Sequence, residues 1–143
     1  MFDREAEAKY PHTLHQQARE KADANGIQIA FSNVCFEYWI LLHFEFTTSC
    51  FGSYDELKRN SKLTEYLRHI GINNYDKASP LLFEKIKDKI EDAKQNAERL
   101  KRQVIAAAEP GKEAPHFLNP YVDVQDMLLD MKNFLEGKPS VRA

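Results

Sequence analysis

The sequence predicts a helix-dominated α/β fold, and three observations carry the prediction. One short apolar run, Ile27-Gln28-Ile29-Ala30-Phe31, is partly alternating and partly continuous, the pattern of a largely buried strand. Downstream of it, apolar residues recur at three- and four-residue spacing through most of the chain. Stop and start signals divide that stretch into helices: Asn25-Gly26, Ser53, Gly71, Ser79-Pro80 and Gly137.

Met1 to Glu5 is a short acidic opening. Tyr10-Pro11 restricts the backbone ahead of a helix from about His12 to Asn25, with Leu14, Ala18, Ala22 and His15 as a thin inner face. Acidic loop, helix and strand then read as half of a βαβ unit whose first strand is mostly absent. Ser32 and Asn33 offer capping oxygens to an aromatic-rich helix over 34–44. Its stripe of Phe36, Trp39, Ile40 and Phe44 is widened by Val34, Cys35, Leu41 and Leu42, so the helix is expected to be buried on most sides. Trp39 and Phe36 are therefore expected as core residues.

Ser53-Tyr54-Asp55-Glu56 is a capping box that opens a helix faltering near Asn60-Ser61 and ending at Gly71. Residues 72–77 form a connection. Ser79-Pro80 then starts the longest predicted helix, to about Ala108. Its inner positions, Leu82, Ile86, Ile90, Ala93, Ala97, Leu100, Val104 and Ala107, form nearly a heptad seam. Packing on its own domain is the expectation, with a dimeric coiled coil as the alternative. Pro110-Gly111 ends this arm, and Asn119-Pro120 makes a turn. Asp123 is placed to cap a last helix with Val124, Met127, Leu128, Met131 and Leu135 inside.

At 143 residues the chain reads as one domain over 1–143, an α/β unit at 1–45 and a helical part at 53–137. A net charge of −2 argues against a strongly basic nucleic-acid surface overall. Cys35 lies in the apolar helix, which points to a reduced thiol and a cytoplasmic protein. Glu37, His43 and Glu45 interrupt the apolar run too early for a membrane span.

No phosphate-binding glycine loop, cysteine knuckle or nucleophile elbow is present, which leaves carboxylates and scattered histidines as the candidate chemistry. Asp3 and Glu5, two apart, share a side of an extended stretch and could hold a divalent ion; a solvated loop is the plainer alternative. Glu37 and His43 are six apart, roughly 240° around a helix, and so do not share one narrow cleft. Each is a candidate catalytic group or, more plainly, a structural one bonded to backbone. His43 with Cys35 lacks anything to supply an oxyanion hole.

The run Phe31-Ser32-Asn33-Val34-Cys35-Phe36-Glu37-Tyr38-Trp39-Ile40-Leu41-Leu42-His43-Phe44-Glu45 resembles the signature of the RloB-like proteins, which are associated with restriction–modification loci and abortive phage infection. Phe2-Asp3-Arg4-Glu5 and Asn119-Pro120-Tyr121-Val122 resemble the flanking acidic motif and asparagine-proline turn of that family. The resemblance implies a topoisomerase–primase-like (Toprim-like) α/β fold. It also implies a site holding Mg2+ for phosphoryl transfer on nucleic acid, through a glutamate after a first strand and an acidic pair matched here by Asp3 and Glu5. Since no glutamate-bearing strand precedes Met1, the chain is expected to be N-terminally truncated and incomplete as a Toprim-like domain, with weak or absent Mg2+ binding and little or no nuclease activity alone.

The alternative is a non-catalytic binding or regulatory protein that uses its long helix; a third reading is a nuclease completed by another chain. Expected partners are nucleic acid, a companion defence protein and a second copy of the chain. Self-association is expected because the strand 27–31 needs hydrogen-bonding neighbours that the first residues are too short to supply on both edges.

Overall fold

The middle strand of the sheet is β2, Phe31–Asn33, and both of its edges are covered. On one side it pairs in parallel with β1, Phe2–Asp3, in the register Phe2 to Phe31 and Asp3 to Ser32. The Arg4 amide to the Ser32 carbonyl (2.7 Å) and the Glu5 amide to the Val34 carbonyl (2.8 Å) prolong that ladder. On the other side β2 pairs antiparallel with β3, Tyr121–Val122. The computed structural model describes residues 2–5 and 7–140.

These pairings correct the expected strand. Ile27 is 59% exposed and residues 27–30 form no strand; pairing begins only at Phe31. Apolar content marked the approach, but a strand exists where a neighbour supplies hydrogen bonds. Since β1 and β3 supply them within the chain, the bare-edge reason for self-association falls away.

Helix α1, His12–Ala24, crosses from β1 to β2 and completes a small βαβ unit. Its inner residue is His15, while Leu14 is half exposed, so the buried face is turned from the one that apolar content suggests. Helix α2 is shorter than predicted, Glu37–Leu41, and its N-cap is Phe36 without a side-chain cap. Ser32 and Asn33 belong to β2 instead. All five α2 residues are buried, as the unbroken apolar surroundings required.

Helices α3, Tyr54–Asn60, and α4, Leu63–His69, follow, with the break at Ser61 and the stop at Gly71 where expected. The Ser53 hydroxyl accepts the Glu56 amide hydrogen bond (3.1 Å), and the Glu56 carboxylate accepts that of Gly52 (2.8 Å). The long arm is not one helix. It divides into α5, Leu82–Ile86, a 3-10 turn at Lys87–Lys89, and α6, Ile90–Ala106.

On α6, Ala93, Ala97 and Leu100 are wholly buried in the main core, which also takes in residues of α2, α3, α4, β3 and α7. The small alanines let α6 approach β3 and α2 closely, so the centre of the seam is filled by the chain's own elements. Helix α7, Val124–Leu135, packs only its first turns. Met131 and Leu135, expected inside, are 57% and 83% exposed because no described element covers them.

The fold is thus helix-dominated and mixed α/β. Among the described residues no helix is long and apolar enough to cross a membrane.

Candidate functional site

Strand β1 ends on Asp3, and the first turn of α2 begins with Glu37. The parallel pairing of β1 with β2 brings these two carboxyl groups to the same end of the sheet. A third element reaches them from the loop after α4. Lys77 Nζ lies 3.8 Å from Asp3 Oδ2 and 3.8 Å from Glu37 Oε2. The Tyr75 hydroxyl donates to Glu37 Oε1 at 3.0 Å. Lys77 also stands 5.3 Å from the centre of the Tyr54 ring at the start of α3.

Glu37 is completely buried, and among the described residues its Oε2 has no hydrogen-bond partner, only the Lys77 charge at 3.8 Å. The charge of Glu37 is felt throughout the cluster. Burial and then Glu37 push the Cys35 thiol and the Tyr75 hydroxyl far up, and raise Tyr54 as well. Asp3 is also raised from its ordinary value, by desolvation first; Lys77 opposes the shift, and Glu37 adds to it.

This direction makes a testable statement about stability. An acid raised in the folded state favours folding while protonated and opposes it once ionised. The contribution of Asp3 is therefore lost as pH rises from 3.8 through its raised folded value. Asp3→Asn should gain thermal stability over the parent at neutral pH and show no gain in acid. Equal differences across that range, measured by thermal unfolding, would contradict this account.

The other residues singled out in the sequence lie elsewhere. Glu5 takes a left-handed backbone, φ 53°, which breaks the alternation that would have set it beside Asp3. Its carboxylate pairs instead with Lys9. His43 is buried with Nδ1 2.9 Å from the Trp39 carbonyl, its ring edge-on to the Trp39 indole, and burial lowers its pKa. Trp39 is a core residue and Phe36 packs partly buried against the same cluster. Asn119 ties two loops: its amide donates to the Phe51 carbonyl (2.8 Å) and its carbonyl accepts the Cys50 thiol (2.9 Å). Pro120 is buried beside it.

Tyr54, Tyr75 and Lys77 were not distinguished by the sequence. Tyr75 and Lys77 sit in a connection without periodicity, and nothing local announces that it folds back over Glu37.

The model of one protein family matches residues 1–130 of the 143, that of the RloB-like proteins. The chain belongs to that family. No curated protein and no solved structure matches it. In this RloB-like chain Asp3 and Glu5, the residues that match the family's acidic pair, have different ion-pair partners. Glu5 pairs with Lys9 and acts on Asp3 only as a weak neighbouring charge, while Asp3 and Glu37 are bridged by the Lys77 ammonium group. Among the described residues, no three His, Cys, Asp or Glu side chains are grouped to hold a metal ion. A magnesium ion favours a near-octahedral shell fixed by several oxygens, and it would have to compete with Lys77 for the same two carboxylates.

Proposed function

We propose that this RloB-like chain is a phage-defence-associated, cytoplasmic protein of Toprim-like architecture that does not perform metal-dependent phosphoryl transfer on nucleic acid by itself. The observation that supports this most is Lys77, set between Asp3 and Glu37. A lysine there supplies the positive charge that two neighbouring carboxylates need, without offering the open coordination positions that a catalytic ion would. The Toprim-like part of the reading rests on position: Asp3 lies at the carboxyl end of a strand in a parallel βαβ unit, where α/β proteins commonly place their chemistry.

The test is incubation of the purified chain with supercoiled DNA, single-stranded DNA and RNA in magnesium or manganese, alongside Asp3→Asn and Glu37→Gln. No cleavage above that of the variants is expected, and calorimetry should find divalent binding no tighter than millimolar. Cleavage abolished by either substitution would overturn the reading. So would a micromolar metal site lost in the Asp3→Ala, Glu5→Ala double variant.

A further inference from the structure

A second polar cluster lies on the other side of the Arg4 backbone, formed by α1, β1 and the 3-10 turn Pro115–Phe117. Arg4 is only 2% exposed. Its Nε donates to the His116 carbonyl (3.1 Å) and Nη1 to the Tyr10 carbonyl (2.6 Å), while Nη2 lies 3.3 Å from His12 Nδ1. Among the described residues Arg4 forms no ion pair; Glu7, the carboxylate that acts most on its charge, is engaged with His12 instead. A buried guanidinium met only by neutral dipoles leaves an uncompensated positive charge, a costly arrangement that an anion would relieve.

His116 supplies the independent observation. It is 3% exposed, and among the described residues neither of its ring nitrogens has a hydrogen-bond partner. Its ring lies 5.6 Å from that of His12, 6.1 Å from that of His15 and 4.3 Å from that of Phe117. A neutral imidazole carries one donor and one acceptor, and His116 uses neither among the described residues.

Arg4, His12 and His116 line one cavity of about 260 Å³, together with Glu7, Asn33, Phe117 and Glu5, whose carboxylate is paired with Lys9. It could hold several water molecules at about 30 Å³ each, and so a phosphate group. An adjoining cleft of about 520 Å³ shares His12 and Phe117 with it and is walled by Val104, Ala107 and Lys112. Helix α1 begins at the cavity wall with His12. Its first turn has no acidic residue and no side-chain cap, so the positive end of its dipole adds to the field in the cavity, where Glu7 is the carboxylate that meets His12.

We propose that the Arg4–His12–His116 cavity binds a phosphate monoester, with the organic part of the ligand lying along Phe117 in the adjoining cleft. The donors suit a group with several acceptor oxygens. Arg4 Nη2 has a single partner, His116 has an unused N–H, and the His12 ring can leave Glu7. With Nδ1 accepting from Arg4, His12 carries its proton on Nε2, the atom 3.3 Å from Glu7 Oε1. Glu7 is thus the built-in competitor for the ligand, and Arg19 adds positive charge felt at His116. A divalent cation is disfavoured by the buried guanidinium.

The test is a titration followed by the histidine ring resonances in NMR. The probes are inorganic phosphate, adenosine 5′-monophosphate, and one DNA oligonucleotide with either a 5′-phosphate or a 5′-hydroxyl. Saturable shifts of the His12 and His116 signals with inorganic phosphate are expected. Tighter binding of the mononucleotide would identify a free nucleotide as the source, and tighter binding of the phosphorylated over the hydroxyl oligonucleotide a strand end.

His116→Phe should weaken binding about tenfold or more through loss of a charge-assisted hydrogen bond. His12→Gln should weaken it while leaving the buried rings in place, and Glu7→Gln should strengthen it. No saturable shift with any probe in the folded parent chain would overturn the proposal. Affinity unchanged in both His116→Phe and His12→Gln would overturn it equally.

Discussion

Trp39→Ala is expected to destabilise the protein by about 3–5 kcal/mol, the usual cost of emptying a large buried aromatic site. Trp39 is 4% exposed, lies within the main core and meets the His43 ring at 4.9 Å. The substitution removes that contact and opens a void among side chains that α2 and α6 hold in place. Denaturant unfolding measures the loss directly. Because Trp39 is the only tryptophan, its emission reports the same environment in the parent protein. A blue-shifted maximum, insensitive to added oligonucleotide, is expected. Emission typical of hydrated indole, quenched by nucleic acid, would instead make Trp39 a stacking platform.

Acid should unfold the protein well before its carboxylates are all protonated, with His116 contributing most. Burial, followed by the neighbouring His12, His15, Arg4 and Arg19, pushes the His116 pKa from 6.5 down to about 4. The unfolded chain therefore binds a proton that the folded chain refuses, and stability falls as pH drops from 6.5 toward 4. A difference of that size corresponds to about 3 kcal/mol, fully present above the upper value and gone below the lower. His15 and His43 are lowered too and add in the same direction. His116→Phe keeps a ring in place and removes the titration. Its unfolding free energy should vary much less between neutral and mildly acidic pH. Parallel curves for parent and variant would refute the assignment to His116.

What could be read from the sequence were features written in a few adjacent residues. Ser53 with Glu56, the break at Ser61 and the stop at Gly71 each depend on local hydrogen bonding and local backbone freedom, and each stands where expected. The family signature over 31–45 is also local, and so was its aromatic core. Features set by distant partners were misplaced or missed. Ile27 and Ile29 resemble strand residues, yet β2 lies farther on because β1 and β3 fix its position. The 3-10 turn at Lys87–Lys89 interrupts a seam whose spacing gives no warning of it.

The carboxylates show the same division. The sequence sets Asp3 beside Glu5, two residues away; in the fold Lys77 links Asp3 to Glu37 instead, and the left-handed backbone at Glu5 breaks the alternation. Lys77 and Tyr75 acquire meaning only when their loop closes over Glu37. The histidines at 12, 15 and 116 look scattered along the chain and become one cluster only through Arg4, whose bond to the His116 carbonyl spans 112 residues.

The sheet has a consequence for biosynthesis. Phe31 finds the Asp123 carboxylate 92 residues later in the chain, and β3 ends just before that aspartate. At roughly 5–20 residues per second, a ribosome takes about 5–18 s to make that stretch. During that interval β2 has emerged with one edge lacking its native neighbour, and Phe31 waits for its cover. The edge of β2 that β3 covers in the finished fold is thus open in the nascent chain until residues 121–122 have been made.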